Sequence, residues 1–468
     1  MTNTISVDDA VTKRFVLIVT TLTAFLSPFS ISSVNISLPA IGRELQMDAI
    51  LLSWVTTAYL LASAMFLVPL GKIADIYGRK RIFIYGTLVF TLASIGITFS
   101  NSAVMLICFR VLQGIGLAAA YCTGTAILTS VFPSNELGKV FGINVAAVYL
   151  GSSLGPFLGG FLTHHFSWRS IFLLNVLLGF IIILFIFWKL RGEWYEAKEE
   201  KFDLTGSLIY SFTLFLILYG FSQLSTMRGA WFILLGALGI FAFVKWEIKI
   251  KNPVLEINLF RNNRAFAFSN LAALINYNAT FAISFLLSLY LQYIKGLTPE
   301  NAGLILLSQP IVQALFSPFA GRLSDRIEPR IVASIGMGLT ALGLFLFIFL
   351  NEQTTLGFII LSLILLGFGF ALFSSPNTNA VMSSVENRFY GVASGTLGTM
   401  RTMGMVLSMG ITVLIFSRYI GKVQITPKYY PAFLKCTKMA FTLFTVLCLG
   451  GIFASFVRGK VRNKFQTS

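Results

Sequence analysis

Long apolar runs alternate with short polar breaks along almost the whole chain. Fourteen such runs are legible, at about 15–38, 50–70, 82–99, 103–127, 138–162, 170–188, 205–224, 229–246, 265–292, 301–320, 331–350, 355–377, 391–416 and 438–457. Most are close to the roughly 20 residues that a helix needs to cross the hydrocarbon core of a bilayer. Alternation with period two is absent, so the pattern predicts helices rather than a barrel. The first run, Phe15 to Gly42, holds 28 residues without a charge. That is too long for a signal h-region and reads as a retained helix. The expectation is an all-α polytopic membrane protein with fourteen transmembrane helices.

Composition supports lipid as the solvent. Apolar residues make up 56% and charged residues 11%, with mean hydropathy +0.81. A globular domain carries about 25% charged residues. The net charge of +17 would suggest nucleic acid in a soluble chain. Here most Lys and Arg fall in alternate loops, on the side that also carries both termini. Basic loops mark the cytoplasmic face. Both termini are therefore expected in the cytoplasm, with a lipid bilayer and no nucleic acid as partner. The loop at about 417–438 runs against this bias. The four Cys lack metal-ligand spacing and no disulfide framework is expected. His164 and His165 read as a solvated pair at a span end. No glycine-rich phosphate loop with Lys-Ser/Thr is present, so ATP does not drive the protein. No cofactor, no metal and no catalytic residue are expected.

An internal repeat organises the spans. Gly114 and Gly116 are echoed by Gly367 and Gly369, and Gly138 and Gly142 by Gly391 and Gly395, all at an offset of 253 residues. Spans 1–6 thus match spans 9–14, and spans 7 and 8 are an inserted pair. The expected domains are 1–190, a six-helix bundle; 191–264, a charged linker and the inserted pair; and 265–468, a second bundle with a basic tail. Two such halves place a binding cavity near the bilayer midplane.

Several motifs interrupt the apolar background. Gly71-Lys-Ile-Ala-Asp75-Ile-Tyr-Gly78-Arg79-Lys80-Arg81 is a tight basic turn, with a weaker echo at Gly321-Arg-Leu-Ser-Asp325-Arg326. Gly71 and Gly78 permit turn dihedrals and close backbone approach. Asp75 can accept from Arg79, which would form a charge latch favouring one access state. Span 4 carries Arg110-Val-Leu-Gln113-Gly114. Span 5 carries Gly151, Gly155 and Gly159 at successive i+4 positions, with the helix-breaking Pro156 among them. That strip is expected to act as a hinge or seal between the halves, or as simple close packing. Span 1 ends in Asn35-Ile-Ser-Leu-Pro39, and Trp54 to Tyr59 follow in span 2. Together these motifs resemble the major facilitator superfamily, and within it the fourteen-helix drug–proton antiporter branch. The resemblance covers nearly the whole chain. It implies a secondary transporter in the plasma membrane, exporting small amphiphilic compounds by alternating access, with protons as a possible second partner and a monomer as the working unit. A metabolite uniporter or importer of the same fold is the alternative.

An arginine inside a span costs about 2.5–3.5 kcal/mol to insert and should face a cavity or a partner. Arg110 and Arg401 are the two candidates. Gln113 and Tyr121 share the face of Arg110. Asn35, Asn270 and Asn278 complete the residues expected along a substrate or proton pathway, although an intramembrane Asn is commonly an interhelical tie. One departure limits the resemblance. The branch carries an aspartate five residues before the span 1 asparagine, and here that position is Ser30. Glu136, Asp203, Glu247, Glu300, Glu352 and Glu386 all lie at span ends or in loops. A cavity with arginine and without carboxylate would favour neutral or anionic ligands over cations.

Overall fold

The computed structural model describes residues 7–190, 192–223, 227–251, 253–255, 260–261, 263–385 and 390–459. Fourteen helices in it are long and apolar enough to cross a membrane. They are α1 (Val7–Glu44), α2 (Ala49–Tyr77), α3 (Arg79–Thr98), α4 (Ala103–Val131), α5 (Ser134–His165), α6 (Arg169–Lys189), α7 (Leu204–Ser222) and α8 (Met227–Lys249). There follow α9, built in succession from Arg264–Thr280, Ala282–Leu289 and the π-helical turn Tyr290–Ile294, and α10, from Pro299–Leu306 and Ser308–Arg326. The last four are α11 (Pro329–Phe347), α12 (Leu356–Met382), α13 (Tyr390–Tyr419) and α14 (Tyr430–Val457). No strand occurs among the described residues.

Helix starts are set by local chemistry. The side chains of Asp48, Ser102, Asp203, Asn263, Thr298 and Thr355 each accept the backbone N–H three residues on, opening α2, α4, α7, α9, α10 and α12. These caps satisfy donors that lipid could not. In α9 the regular ladder breaks at Phe281, and Ser408 Oγ of α13 accepts from Ala282 N at 3.1 Å.

The two sets of six helices repeat the same pairings. In the first, α1 packs on α5 and α6, α2 on α4, and α3 on α4 and α6. In the second, α9 packs on α13 and α14, α10 on α12, and α11 on α12 and α14. The bundles meet along three lines, α1 with α9, α5 with α10 and α2 with α13. The α7–α8 hairpin lies along the last of these, where α7 touches both α2 and α13. Tyr210 Oη donates to Ala64 O at 3.0 Å and Ser211 Oγ to Met65 O at 2.9 Å, tying α7 to α2.

Hydrogen bonds between the bundles gather at the face opposite the termini. There Ser288 Oγ donates to Asn35 O at 2.7 Å, Gln292 Nε2 to Ile36 O at 2.7 Å, and Ala49 N to Val423 O at 2.9 Å. On α5 and α10 the backbones come close enough that a Cβ at Gly160 would lie 2.4 Å from Pro299 O, and one at Gly303 would lie 2.2 Å from Pro156 O. Toward the terminal face a Cβ at Gly142, Gly395 or Gly398 would meet nothing within 4 Å. Between the bundles Tyr121, Tyr149, Tyr277 and Arg401 all keep partial exposure, which marks a cleft at the seam.

Candidate functional site

Midway along the cleft, side chains from both bundles converge on Arg401. Its Nη2 donates to Thr378 Oγ1 of α12 at 2.7 Å. Its guanidinium lies 5.6 Å from the ring centroid of Tyr277 on α9, within cation–π range. The phenols of Tyr149 on α5 and Tyr121 on α4 come within electrostatic reach of the same charge. Tyr149 Oη and Ser374 Oγ sit 3.4 Å apart across the seam. Tyr277 is backed by Phe370 in an edge-to-face contact at 5.4 Å. Arg401 and the three tyrosines are all partly exposed. Among the described residues no carboxylate pairs with Arg401. Its Nε is closed off from solvent with no acceptor.

Arg110 is placed differently. It is fully buried in the first bundle. Nε donates to Val55 O at 3.0 Å, Nη1 to Gln113 Oε1 at 2.5 Å, and the guanidinium stacks 4.1 Å from the ring of Tyr59. Gln113 Nε2 passes the network on to Ser94 Oγ at 2.7 Å. The arginine thus ties α2, α3 and α4 together, away from the cleft. Tyr121, expected on its face, lies within electrostatic reach of Arg401. Ser30 is fully buried and accepts from Asn175 Nδ2 at 3.3 Å.

The remaining pathway candidates are buried. Asn35 Oδ1 accepts from Thr56 Oγ1 at 2.8 Å, while its carbonyl forms part of the closed face. Asn270 Nδ2 donates to Phe266 O at 2.9 Å, one turn back on its own helix. Asn278 lies where α9 and α13 cross at Gly404. None of the three joins the Arg401 group.

The span 5 glycines do not face the partner bundle. Built Cβ atoms on Gly151, Gly155 and Gly159 would lie 2.3 Å from Phe25 O, 2.6 Å from Ser32 Cβ and 2.6 Å from Ser33 Cα, all on α1 of the same bundle. The seal is made by the neighbouring stripe, Pro156 and Gly160, one residue further round the helix. Beside it His165 Nε2 lies 3.2 Å from Glu300 Oε2 of α10. The His pair is therefore part of a contact between bundles and not a free loop pair.

At the terminal face, Asp75 Oδ1 accepts from Arg79 Nε at 2.8 Å and Nη2 at 2.7 Å. Arg79 Nη1 caps the end of α4 through Ala126 O at 3.0 Å and Ser130 Oγ at 2.5 Å. The segment after α6 docks onto this turn. Glu193 accepts from Lys80 N at 2.6 Å, Glu196 pairs with Arg79 at 3.2 Å, and Glu200 with Lys72 at 2.6 Å. Gly78 has φ +115°, and a Cβ there would lie 2.6 Å from Glu193. Gly71 meets only Cys122, loosely. The side chain of the echo residue Asp325 lies outside the described residues.

Sequence reasoning missed Tyr149, Tyr277, Ser374 and Thr378. Nothing in an apolar span marks one tyrosine among fifteen as facing a seam. The docking of Glu193, Glu196 and Glu200 had a signal, since acids follow α6 where bases follow α2.

A family model described as Major Facilitator Superfamily matches residues 20–249 and 270–467. The chain belongs to that superfamily of membrane transporters. It is 28% identical over 443 residues to the riboflavin transporter RibZ of Clostridioides difficile, covering 94% of this chain and 96% of that one. It is 30% identical over 419 residues to the multidrug resistance protein Stp of Mycobacterium tuberculosis, covering 88% and 77%. It is 27% identical over 395 residues to a tetracenomycin C resistance and export protein of Streptomyces glaucescens, covering 83% and 73%. Among solved structures the nucleoside transporter NupG matches with TM-score 0.65 at 14% identity, over 96% of this chain and all of that one. A bacterial homolog of the lysosomal transporter Spinster, in an inward-facing conformation, matches with TM-score 0.65 at 15% identity, over 95% and 96%. The fold is that of the major facilitators.

Proposed function

We propose that this transporter exports small amphiphilic compounds across the plasma membrane by alternating access, in exchange for protons, with both termini in the cytoplasm. The observation that carries this reading is the partly exposed Arg401 group, shared by both bundles, beneath a seam that is tight at one face and open at the other. A ligand held there contacts both halves, so its binding differs in free energy between the two access states. The resistance and export proteins among the relatives support the outward direction. The riboflavin transporter supports a metabolite as cargo, and uniport or import of such a metabolite is the second reading. Asp75 and Arg79 act as a latch on the terminal face, reinforced by the docked acidic segment. The chain works as a monomer.

Everted vesicles with and without an imposed pH gradient test this. Accumulation of riboflavin or of a neutral amphiphilic dye that collapses when the gradient is dissipated supports proton-coupled export. Accumulation indifferent to the gradient moves the reading to uniport, and no accumulation above vesicles lacking the protein sinks both. Asp75→Asn should lower transport with protein abundance near the wild-type level. Unchanged transport would remove the latch.

A further inference from the structure

We infer that the Arg401 group selects planar aromatic ligands bearing an anionic or acceptor-rich edge. This rests on the transporter reading above and names the cargo class of the same site. Three features combine. Among the described residues the charge at Arg401 is answered by neutral groups, the Thr378 hydroxyl and the Tyr277 ring. The planar guanidinium fork matches a carboxylate, a phosphate or two adjacent acceptors on a ring edge in two parallel hydrogen bonds. The surroundings are aromatic, with the Tyr277 ring 5.6 Å from the guanidinium and backed by Phe370 in one bundle, and the phenols of Tyr121 and Tyr149 of the other bundle within electrostatic reach.

A flat ring system between these walls gains stacking and area burial together. Its polar edge accepts from the partly exposed part of the Arg401 guanidinium, beside the Thr378 hydroxyl. A planar cation gains the same stacking but meets an unneutralised guanidinium with no carboxylate to offset the repulsion. Selectivity by charge therefore comes from Arg401, and selectivity by shape from the tyrosines. The two halves contribute different walls, so the ligand spans the seam that must open and close.

Three flat probes separate these terms: flavin mononucleotide (anionic), riboflavin (neutral with an imide edge) and ethidium (cationic). Binding is measured by fluorescence titration on the purified chain in nanodiscs, without transport. The wild type should bind flavin mononucleotide and riboflavin at least tenfold more tightly than ethidium. Arg401→Gln should weaken flavin mononucleotide tenfold or more, riboflavin less, and ethidium not at all. Arg401→Lys, which keeps the charge, should retain the order of the three. Tyr277→Leu should weaken all three by a similar factor, and Tyr277→Phe should not. Ethidium binding as tightly as the flavins, equal losses for all probes in Arg401→Gln, or no saturable binding of any probe overturns the inference. If selectivity holds while vesicles transport nothing, the transport reading fails and the site stands. If vesicles transport without this selectivity, the site inference alone fails.

Discussion

Arg110 and Arg401 have the same appearance in the sequence, one cation in an otherwise uncharged span, and opposite surroundings in the fold. Arg110 is enclosed by α2, α3 and α4, with Val55 O, Gln113 and the Tyr59 ring as its partners. Arg401 stands at the seam between bundles, partly exposed, with a hydroxyl and phenols around it. The first arrangement stiffens one half as a rigid body. The second leaves a charge with donors to spare where the halves must move apart. Each arginine keeps one buried nitrogen without an acceptor, Nη2 of Arg110 and Nε of Arg401, so the difference teaches that burial within one bundle or exposure at the seam makes an intramembrane arginine a tie or a ligand contact.

The sharpest way to break this comparison is to remove each arginine in turn. Arg110→Ala should destabilise the protein by about 3 kcal/mol, through an emptied site and a buried Gln113 carbonyl oxygen without its donor. Arg401→Ala should change stability by no more than about 0.5 kcal/mol, as a partly solvated side chain does. Thermal unfolding of the two purified variants checks both, and equal losses would erase the distinction.

A second substitution probes the seam by sterics. Gly160→Val places a Cβ against Pro299 O, which exists as a contact only while that face is closed. The overpacking should cost the closed state about 2 kcal/mol, close to a thirtyfold shift toward opening. Reactivity of a cysteine placed at Ser288, fully buried in the closed seam, reports the opening, and an unchanged rate would mean the contact is compliant. The same change at Gly142 should do nothing, because a Cβ there meets open space.

Two smaller effects belong to the turn on the terminal face. Gly78→Ala forces a positive φ on a side chain that also meets Glu193, at a cost of about 1–2 kcal/mol. Glu193→Gln keeps the shape but weakens the charge at the start of α3, at a cost of about 0.5 kcal/mol. Measured together, the pair should be less than additive, since both act on one contact. Strict additivity would show that the acidic segment does not hold the turn.

Hydropathy and spacing alone determined the number of spans and their approximate bounds. Each follows from lipid as solvent, which dictates helices of a set length and concentrates charge at their ends. The structure adds the caps, with Asp48, Ser102, Thr298 and Thr355 opening helices where the apolar runs begin. Which way each helix faces was decided only in the tertiary structure. Lipid tails and a membrane protein's core are both apolar, so no hydrophobic stripe distinguishes the buried side of a span. Gly159 and Gly160 are adjacent in sequence, yet one packs within its bundle and the other against the partner. Tyr121 lies within electrostatic reach of Arg401 for the same reason, since only the packing of all five contributing helices fixes which side chains share a cleft.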